Sequence, residues 1–236
     1  MPDASPSALI VGAGAGLSAS LARLLAREGF RVALAARDAA KLDALCAETG
    51  ADAVACDAAD PAAVAALFEG LDAASEGAPA LVVYNPSARV RGPLTELDPA
   101  DVRRALDVTA FGAFLVGQEA ARRMLQAGRG TILFTGASAG VKGYPRSAPF
   151  AMGKFALRGL AQSMARELAP QGVHVGHVVI DGGIRNPDRP ERREPEDRPD
   201  RMLDPDAIAE TYLMLHRQPR SAWSWEIELR PWVETF

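Results

Sequence analysis

Short apolar runs alternate along this chain with longer segments whose apolar residues recur at helical spacing, and that alternation restricts the fold more than any single motif does. The runs lie at 8–11, 32–35, 53–56, 80–84, 131–135, 173–180 and 226–229. All but the last, Glu226 to Leu229, are nearly continuous in apolar or small residues, and the set reads as strands buried on both faces, the habit of parallel sheets covered by crossover helices. Between the first two runs Leu17, Leu21, Leu24 and Leu25 repeat with a helical period, and Gly29 stands where a left-handed C-terminal cap is wanted. Asp60, Asp98 and Asp204 each precede a proline, pairing an N-cap acceptor with a residue suited to the first helical turn. Two long crossovers, from 98 to about 126 and from about 150 to 168, complete the pattern. Seven parallel strands and six helices are expected, with 1–236 forming one domain.

The segment Val11-Gly12-Ala13-Gly14-Ala15-Gly16-Leu17-Ser18 leaves the first run and enters the first helix. Glycines there let backbone approach a diphosphate closely, and the helix N-terminus turns free N–H groups toward the anion. Tight packing of strand on helix would also use glycine, but a strand before and a helix after favour a dinucleotide at Gly12, Gly14, Ala15, Gly16 and Leu17. The fold class is therefore α/β, a single doubly wound, Rossmann-type sheet flanked by helices. At the end of the second run Arg37 precedes Asp38. A carboxylate at that place serves a ribose 2′-hydroxyl and a guanidinium a 2′-phosphate, so Arg37 favours NADP(H) over NAD, unless it simply points to solvent; Asp38 is left to cap the following helix.

Composition excludes several other classes. A net charge of −4, from 26 basic and 30 acidic residues, creates no field that would gather nucleic acid. No stretch is long and apolar enough for a bilayer and the first residues are polar, so a cytoplasmic protein without nucleic-acid or membrane partners is expected. Cys46 and Cys56 read as packing residues, and the histidines do not cluster, so no metal is expected. His174 and His177 belong to one strand and face opposite ways. The stretch 185–201 is almost all Pro, Arg, Asp and Glu and cannot bury enough surface to order itself. It is a solvated linker or a lid, and 185–203 is expected to be a mobile substrate loop. Trp223, Trp225, Trp232 and Phe236 suit packing over the sheet edge or against a neighbouring subunit.

The spacing Gly12-x-x-x-Gly16-x-Ser18 resembles the Thr-Gly-x-x-x-Gly-x-Gly turn of the short-chain dehydrogenase/reductase family, with Val11 and Ser18 at the outer Thr and Gly. Cys56-Asp57 is similar to the family's adenine-contacting Asp, and Tyr84-Asn85-Pro86-Ser87 to its Asn-Asn-Ala-Gly, where Asn85 matches. Ser138 follows the fifth run, Lys154 sits on the next helix, and Asp181-Gly182-Gly183-Ile184 resembles the Pro-Gly-x-Val/Ile stretch that contacts the nicotinamide carboxamide, placing Gly182 and Ile184 there. The resemblance covers nearly the whole chain. It implies a nicotinamide cofactor, a small-molecule substrate and a homodimer or homotetramer.

In that family a Ser orients the carbonyl or alcohol and a Tyr four residues before a Lys exchanges the proton. The Lys lowers the Tyr pKa and binds the nicotinamide ribose, and an Asn completes a relay. Ser138 and Lys154 match, while the Tyr position is Phe150 and the Asn position Thr109. Phenylalanine keeps an aromatic wall but has no proton to exchange. Loss of a positioned acid costs about 10² to 10⁴ in rate. Tyr144, ten residues before Lys154, is the one phenol in the intervening loop and stands as a replacement acid or a pocket wall; the enoyl-reductase branch spaces its Tyr seven before the Lys, where this chain has Ser147. Two functions follow. One is an NADP(H)-dependent oxidoreductase acting on a carbonyl or conjugated molecule without the usual Tyr acid. The alternative is a catalytically impaired dinucleotide-binding sensor or scaffold. Retention of Ser138 with Lys154 favours the first.

Overall fold

The computed structural model describes residues 5–74, 77–197 and 199–234. Its main sheet has seven strands in the order β3-β2-β1-β4-β5-β6-β9, every neighbouring pair parallel. These are β1 (Ser7–Val11), β2 (Arg31–Ala36), β3 (Asp52–Ala55), β4 (Leu81–Tyr84), β5 (Gly130–Thr135), β6 (Val173–Ile180) and β9 (Glu226–Leu229). Side chains alternate across the sheet: Ala8 and Ile10 enter one core, Leu9 and Val11 the other. The first core lies under α1 (Leu17–Arg27) and α7 (Pro205–His216), the second under α3 (Pro61–Ala74), α5 (Gly112–Ala127) and α6 (Ala148–Leu168). The chain builds outward from β1 to β3 and then restarts at β4 on the other side of β1, so the loops after β1 and β4 part at the carboxyl edge and leave a crevice there.

Local chemistry sets the helix ends as the Asp-Pro pairs indicate. The carboxylates of Asp60, Asp98 and Asp204 accept from the amides of Ala62, Ala100 and Asp206 at 2.9, 2.7 and 3.0 Å. Gly29 takes φ +83° just past α1, a left-handed turn that suits glycine. Asp38 departs from expectation: it stands before the short turn Ala39–Leu42 leading to α2 (Asp43–Thr49), but its side chain makes no capping bond. Its carboxylate lies 3.2 Å from the Lys41 ammonium instead, an exposed pair that competes with the cap.

The long crossover is also not one regular helix. Between α4 (Pro99–Leu106) and α5 the turn Asp107–Phe111 widens to π geometry. The buried Tyr84 hydroxyl donates to the Val108 carbonyl in that turn, and a Cβ at Gly112 would lie 2.6 Å from the Ala58 carbonyl oxygen. A π turn is found often at functional positions, and here it carries Thr109.

The polar stretch after β6 ends in paired backbone. β7 (Gly183–Ile184) and β8 (Met202–Leu203) form a separate parallel pair, so residues 202 and 203 of the expected loop are strand. Within the stretch, Arg189, Arg192 and Asn186 close turns on one another, and the Arg185 guanidinium meets the Asp204 carboxylate at 2.6 Å.

The C-terminal tryptophans pack largely within the chain. Trp223 stacks on His174 with ring centroids 4.8 Å apart, and Trp225 receives the Arg158 guanidinium on its face. Trp232 is exposed, with its indole N–H donating to Asp200, while Phe236 lies outside the described residues. At the β9 edge Glu226 accepts two bonds from Arg158, at 2.6 and 2.7 Å, and one from His177 Nδ1 at 2.9 Å. Because a carboxylate only accepts, Nδ1 of His177 carries the proton. Burial holds the His177 pKa down at about 4, the Glu226 partner offsetting only part of that. Glu226→Gln is expected to cost about 1–3 kcal/mol, seen as a Tm drop of roughly 2–10 °C. An unchanged melting curve would remove this network from the account of the sheet edge.

Candidate active site

The turn after β1 is shaped by two close approaches. Gly12 has φ +81°, and a Cβ on it would lie 2.7 Å from Pro86, so only glycine lets the β4 loop sit against the turn. The amides of Gly12 and Ala13 both donate to the Ala35 carbonyl, at 2.9 and 3.0 Å. Ser18 then ties the turn together: its hydroxyl donates to the Gly12 carbonyl at 3.1 Å and accepts from the Asn85 side chain at 2.8 Å. The Asn85 amide closes the arrangement on the Val11 carbonyl at 3.0 Å.

The rest of the turn stays available to an anion. Nothing lies within 4 Å of where a Gly14 Cβ would be. Gly16 caps α1 without a side-chain acceptor, and no acidic residue occupies the first turn, so the positive end of the helix is uncompensated. Leu17 buries its side chain in the core and can offer only backbone, while Ala15 is half-buried in the turn itself. These features fit a diphosphate. Asn186 overlies the same turn, with its side-chain nitrogen 2.9 Å from the position of a Gly16 Cβ.

Two polar residues stand along the rim. Arg37 directly follows β2 and is exposed. Asp57, also exposed, takes the Ala59 amide at 3.1 Å.

Beyond β5 the other candidates converge. Ser138 begins the short turn Ser138–Gly140 and is half-buried. The Tyr144 hydroxyl donates to its Oγ at 3.0 Å. The Lys142 ammonium sits 5.7 Å from the Tyr144 ring centroid and 3.7 Å from the Asp181 carboxylate. Its pKa is raised, first by hydrogen bonding with Tyr144 and then by Asp181.

Lys154 lies on α6 and is buried, its ammonium donating to the Thr135 carbonyl at 2.6 Å. Burial, followed by repulsion from Arg89, pushes its pKa down to about 7. The Phe150 ring lies 6.0 Å from that ammonium, and the guanidinium carbon of Arg89 sits 4.2 Å from the ring centroid. Thr109 is buried, and its hydroxyl accepts the Ala88 amide at 3.2 Å. The same threonine packs against Gly153, where a Cβ would fall 2.9 Å from its own. Gly182 adopts φ +154° against Pro231, and Ile184 is half-buried in β7.

The structure thus joins Tyr144 to Ser138, places Phe150 beside Lys154, and ties Thr109 to the β4 loop. Arg37 and Asp57 belong to the ends of β2 and β3, on the far side of the glycine turn. Sequence reasoning missed Arg89, Lys142, Asn186 and Arg192. The density of arginine in 185–193 was the one available signal for Arg192; nothing in the spacing of Arg89 indicated that it would stack on Phe150.

The pattern defining the family described as short chain dehydrogenase matches residues 6–196. Over 176 residues the chain is 31% identical to the D-threitol dehydrogenase of Mycolicibacterium smegmatis, covering 72% of this chain and 67% of that protein. It superposes on a short-chain dehydrogenase from Rhodopseudomonas palustris with a TM-score of 0.82 and 35% identity, covering 96% and 99% of the two chains. A metagenomic short-chain oxidoreductase in complex with NADP gives a TM-score of 0.83 at 29% identity, with 97% and 98% covered.

Proposed function

This chain belongs to the short-chain dehydrogenase family, and from that premise we propose that it is an NADP(H)-dependent oxidoreductase for a small carbonyl or conjugated substrate, with Tyr144 in place of the missing acid at Phe150. The observation that carries the reading is the 3.0 Å hydrogen bond from the Tyr144 hydroxyl to Ser138 Oγ. Ser138 holds the substrate oxygen, and the phenol beside it hands over the proton as charge develops there. Lys142 places a positive charge next to that phenol. Tyr144 keeps solvent access and recovers the proton from water. A reduced nicotinamide, when bound, supplies the hydride to the electrophilic carbon.

The cofactor's diphosphate would be held by the turn at Gly12, Gly14, Ala15, Gly16 and Leu17. Arg37 would take the 2′-phosphate, Asp57 the adenine, Lys154 the nicotinamide ribose, and Gly182 and Ile184 the carboxamide. Asn85 keeps the turn in shape through Ser18. The NADP complex of the metagenomic relative supports the cofactor assignment. In the same reading 1–236 acts as one dinucleotide-binding unit with 185–203 as the substrate loop. Self-association as a homodimer or homotetramer would use Phe111, Phe114, Met152 and Phe155, which remain exposed around α5 and α6.

Coenzyme titration with a turnover panel of enones, diketones and quinones tests the reading. NADPH is expected to bind, and at least one acceptor to be reduced. Arg37→Ala should weaken NADPH about 10- to 100-fold with NADH little changed, the cost of one charge-assisted contact. If neither coenzyme quenches fluorescence nor raises Tm, the proposal fails. If coenzyme binds, nothing turns over and Phe150→Tyr gains carbonyl reduction, the chain is a binding protein instead.

A further inference from the structure

We infer that Arg89, Arg91, Arg189 and Arg192 form a receptor for an oxyanion, a carboxylate or phosphate borne by the substrate. The inference rests on the oxidoreductase reading, since it assigns the substrate class of that same site. Three guanidiniums from two loops act on a fourth: Arg89 is repelled by Arg192 most strongly among the cations, then by Arg91 and Arg189. Arg89 and Arg91 come from the loop after β4, Arg189 and Arg192 from the stretch after β7. Both stretches follow the carboxyl ends of main-sheet strands, β4 and β6, where ligands of doubly wound sheets bind.

Their placement is specific. The Arg89 guanidinium carbon lies over the Phe150 ring, 4.2 Å from its centroid, so the ring that lacks a catalytic hydroxyl serves as a platform for a cation. Arg192 rests against Gly183, where a Cβ would fall 2.7 Å from its Nη1, so a side chain at 183 would displace it. Backbone bonds hold the second pair in place: Asn186 to the Arg192 carbonyl at 3.1 Å, Arg189 to the Asn186 carbonyl at 3.2 Å and Arg192 to the Arg189 carbonyl at 2.8 Å.

Among the described residues none of these four guanidiniums pairs with a carboxylate, although the chain carries 30 acidic residues and a net charge of −4. Like charges held together without counterions are unfavourable in the free protein, and an incoming oxyanion relieves that repulsion while accepting paired N–H bonds. Arg89 remains exposed to solvent, and partial desolvation with the neighbouring cations brings its pKa only to about 10, so it stays charged near neutrality. The diphosphate cradle is made of backbone amides of the glycine turn, which the Asn186 turn overlies, whereas Arg89 sits beside Phe150 and repels Lys154.

Oxamate, its neutral ester ethyl oxamate, and inorganic phosphate serve as probes, each titrated by melting temperature with and without saturating NADPH. Oxamate or phosphate is expected to raise Tm by several degrees at millimolar concentration, and ethyl oxamate to leave it unchanged. Arg89→Gln and Arg192→Gln should each weaken the anion at least about tenfold, the scale of one charged hydrogen bond, while the NADPH dissociation constant stays within about twofold. Arg89→Gln should also raise the ligand-free Tm, because repulsion is relieved. The inference is overturned if the ester protects as well as the acid, if both variants bind the anions like wild type, or if NADPH and anion affinities fall together, which would assign the cluster to cofactor phosphates. Failure of NADPH binding alone would strike the oxidoreductase reading and leave the anion titration interpretable.

Discussion

Tyr144→Phe is expected to lower kcat by about 10² to 10⁴-fold with little change in NADPH affinity. The substitution removes one oxygen, the donor to Ser138 Oγ at 3.0 Å, and leaves the ring beside Lys142. Phe150 cannot compensate because it carries no ionisable group, and Lys154 is turned to the Thr135 carbonyl. Ser138→Ala should produce a loss of similar order, and the double variant should be little worse than either single one, since two members of one hydrogen-bonded unit are not additive. Single-turnover oxidation of NADPH under saturating acceptor is the decisive measurement, since it isolates the chemical step from release of product. A Tyr144→Phe enzyme within about threefold of wild type would mean that the proton arrives by another route.

Lys154→Met should make the protein more stable and the cofactor site worse. A buried ammonium with the Thr135 carbonyl as its one hydrogen-bond partner shown here is poorly compensated for the water it has lost. Its pKa falls from 10.5 to about 7 on folding, for which burial is the main cause and Arg89 the second. The unfolded chain therefore binds a proton between pH 7 and 10.5 that the folded chain does not. Stability rises with pH across that window, and below pH 7 the penalty is fully present. Methionine fills similar space without the charge, so a gain of about 1–3 kcal/mol is expected at pH 6.5, shrinking toward pH 10. NADPH affinity should fall about 10- to 100-fold in the same variant through loss of an ammonium donor to ribose hydroxyls. Denaturant unfolding at the two pH values, beside a coenzyme titration, reads both effects. A variant less stable than wild type at pH 6.5 would show that the ammonium is better satisfied than its surroundings indicate.

The opposition between these two results explains why Lys154 would be retained. A group that weakens the fold and strengthens the site is favoured only where ligand binding repays it, as buried ionisable residues in clefts commonly show.

Much of the architecture is legible in the sequence because the signals are local. The runs at 173–180 and 226–229 coincide with β6 and β9, and the other strands differ from their runs only at the ends. A strand covered on both faces is largely apolar, and the Asp-Pro caps act over two residues, so these signals are legible without distant partners. The glycine turn was readable for the same reason, being set by its strand before and helix after. Asp38 shows the limit of that method: a suitable cap residue in the right place formed an ion pair with Lys41, because two nearby acceptable partners compete and composition does not rank them.

The site divides along the same line. Which residue types were present, a serine, a lysine, a phenylalanine where a tyrosine belongs and one nearby phenol, was determined by the amino-acid order alone. That the phenol reaches Ser138, that Arg89 covers Phe150, and that Arg192 from a loop about a hundred residues further on joins it were decided by tertiary structure. Such contacts connect loops whose ends are held by different strands, and their geometry follows from how the sheet spaces those strands and how the glycines at 12, 153 and 183 admit close neighbours. Spacing along a chain carries the periodicity of helix and strand; it carries no record of distances between loops that meet only after the sheet has formed.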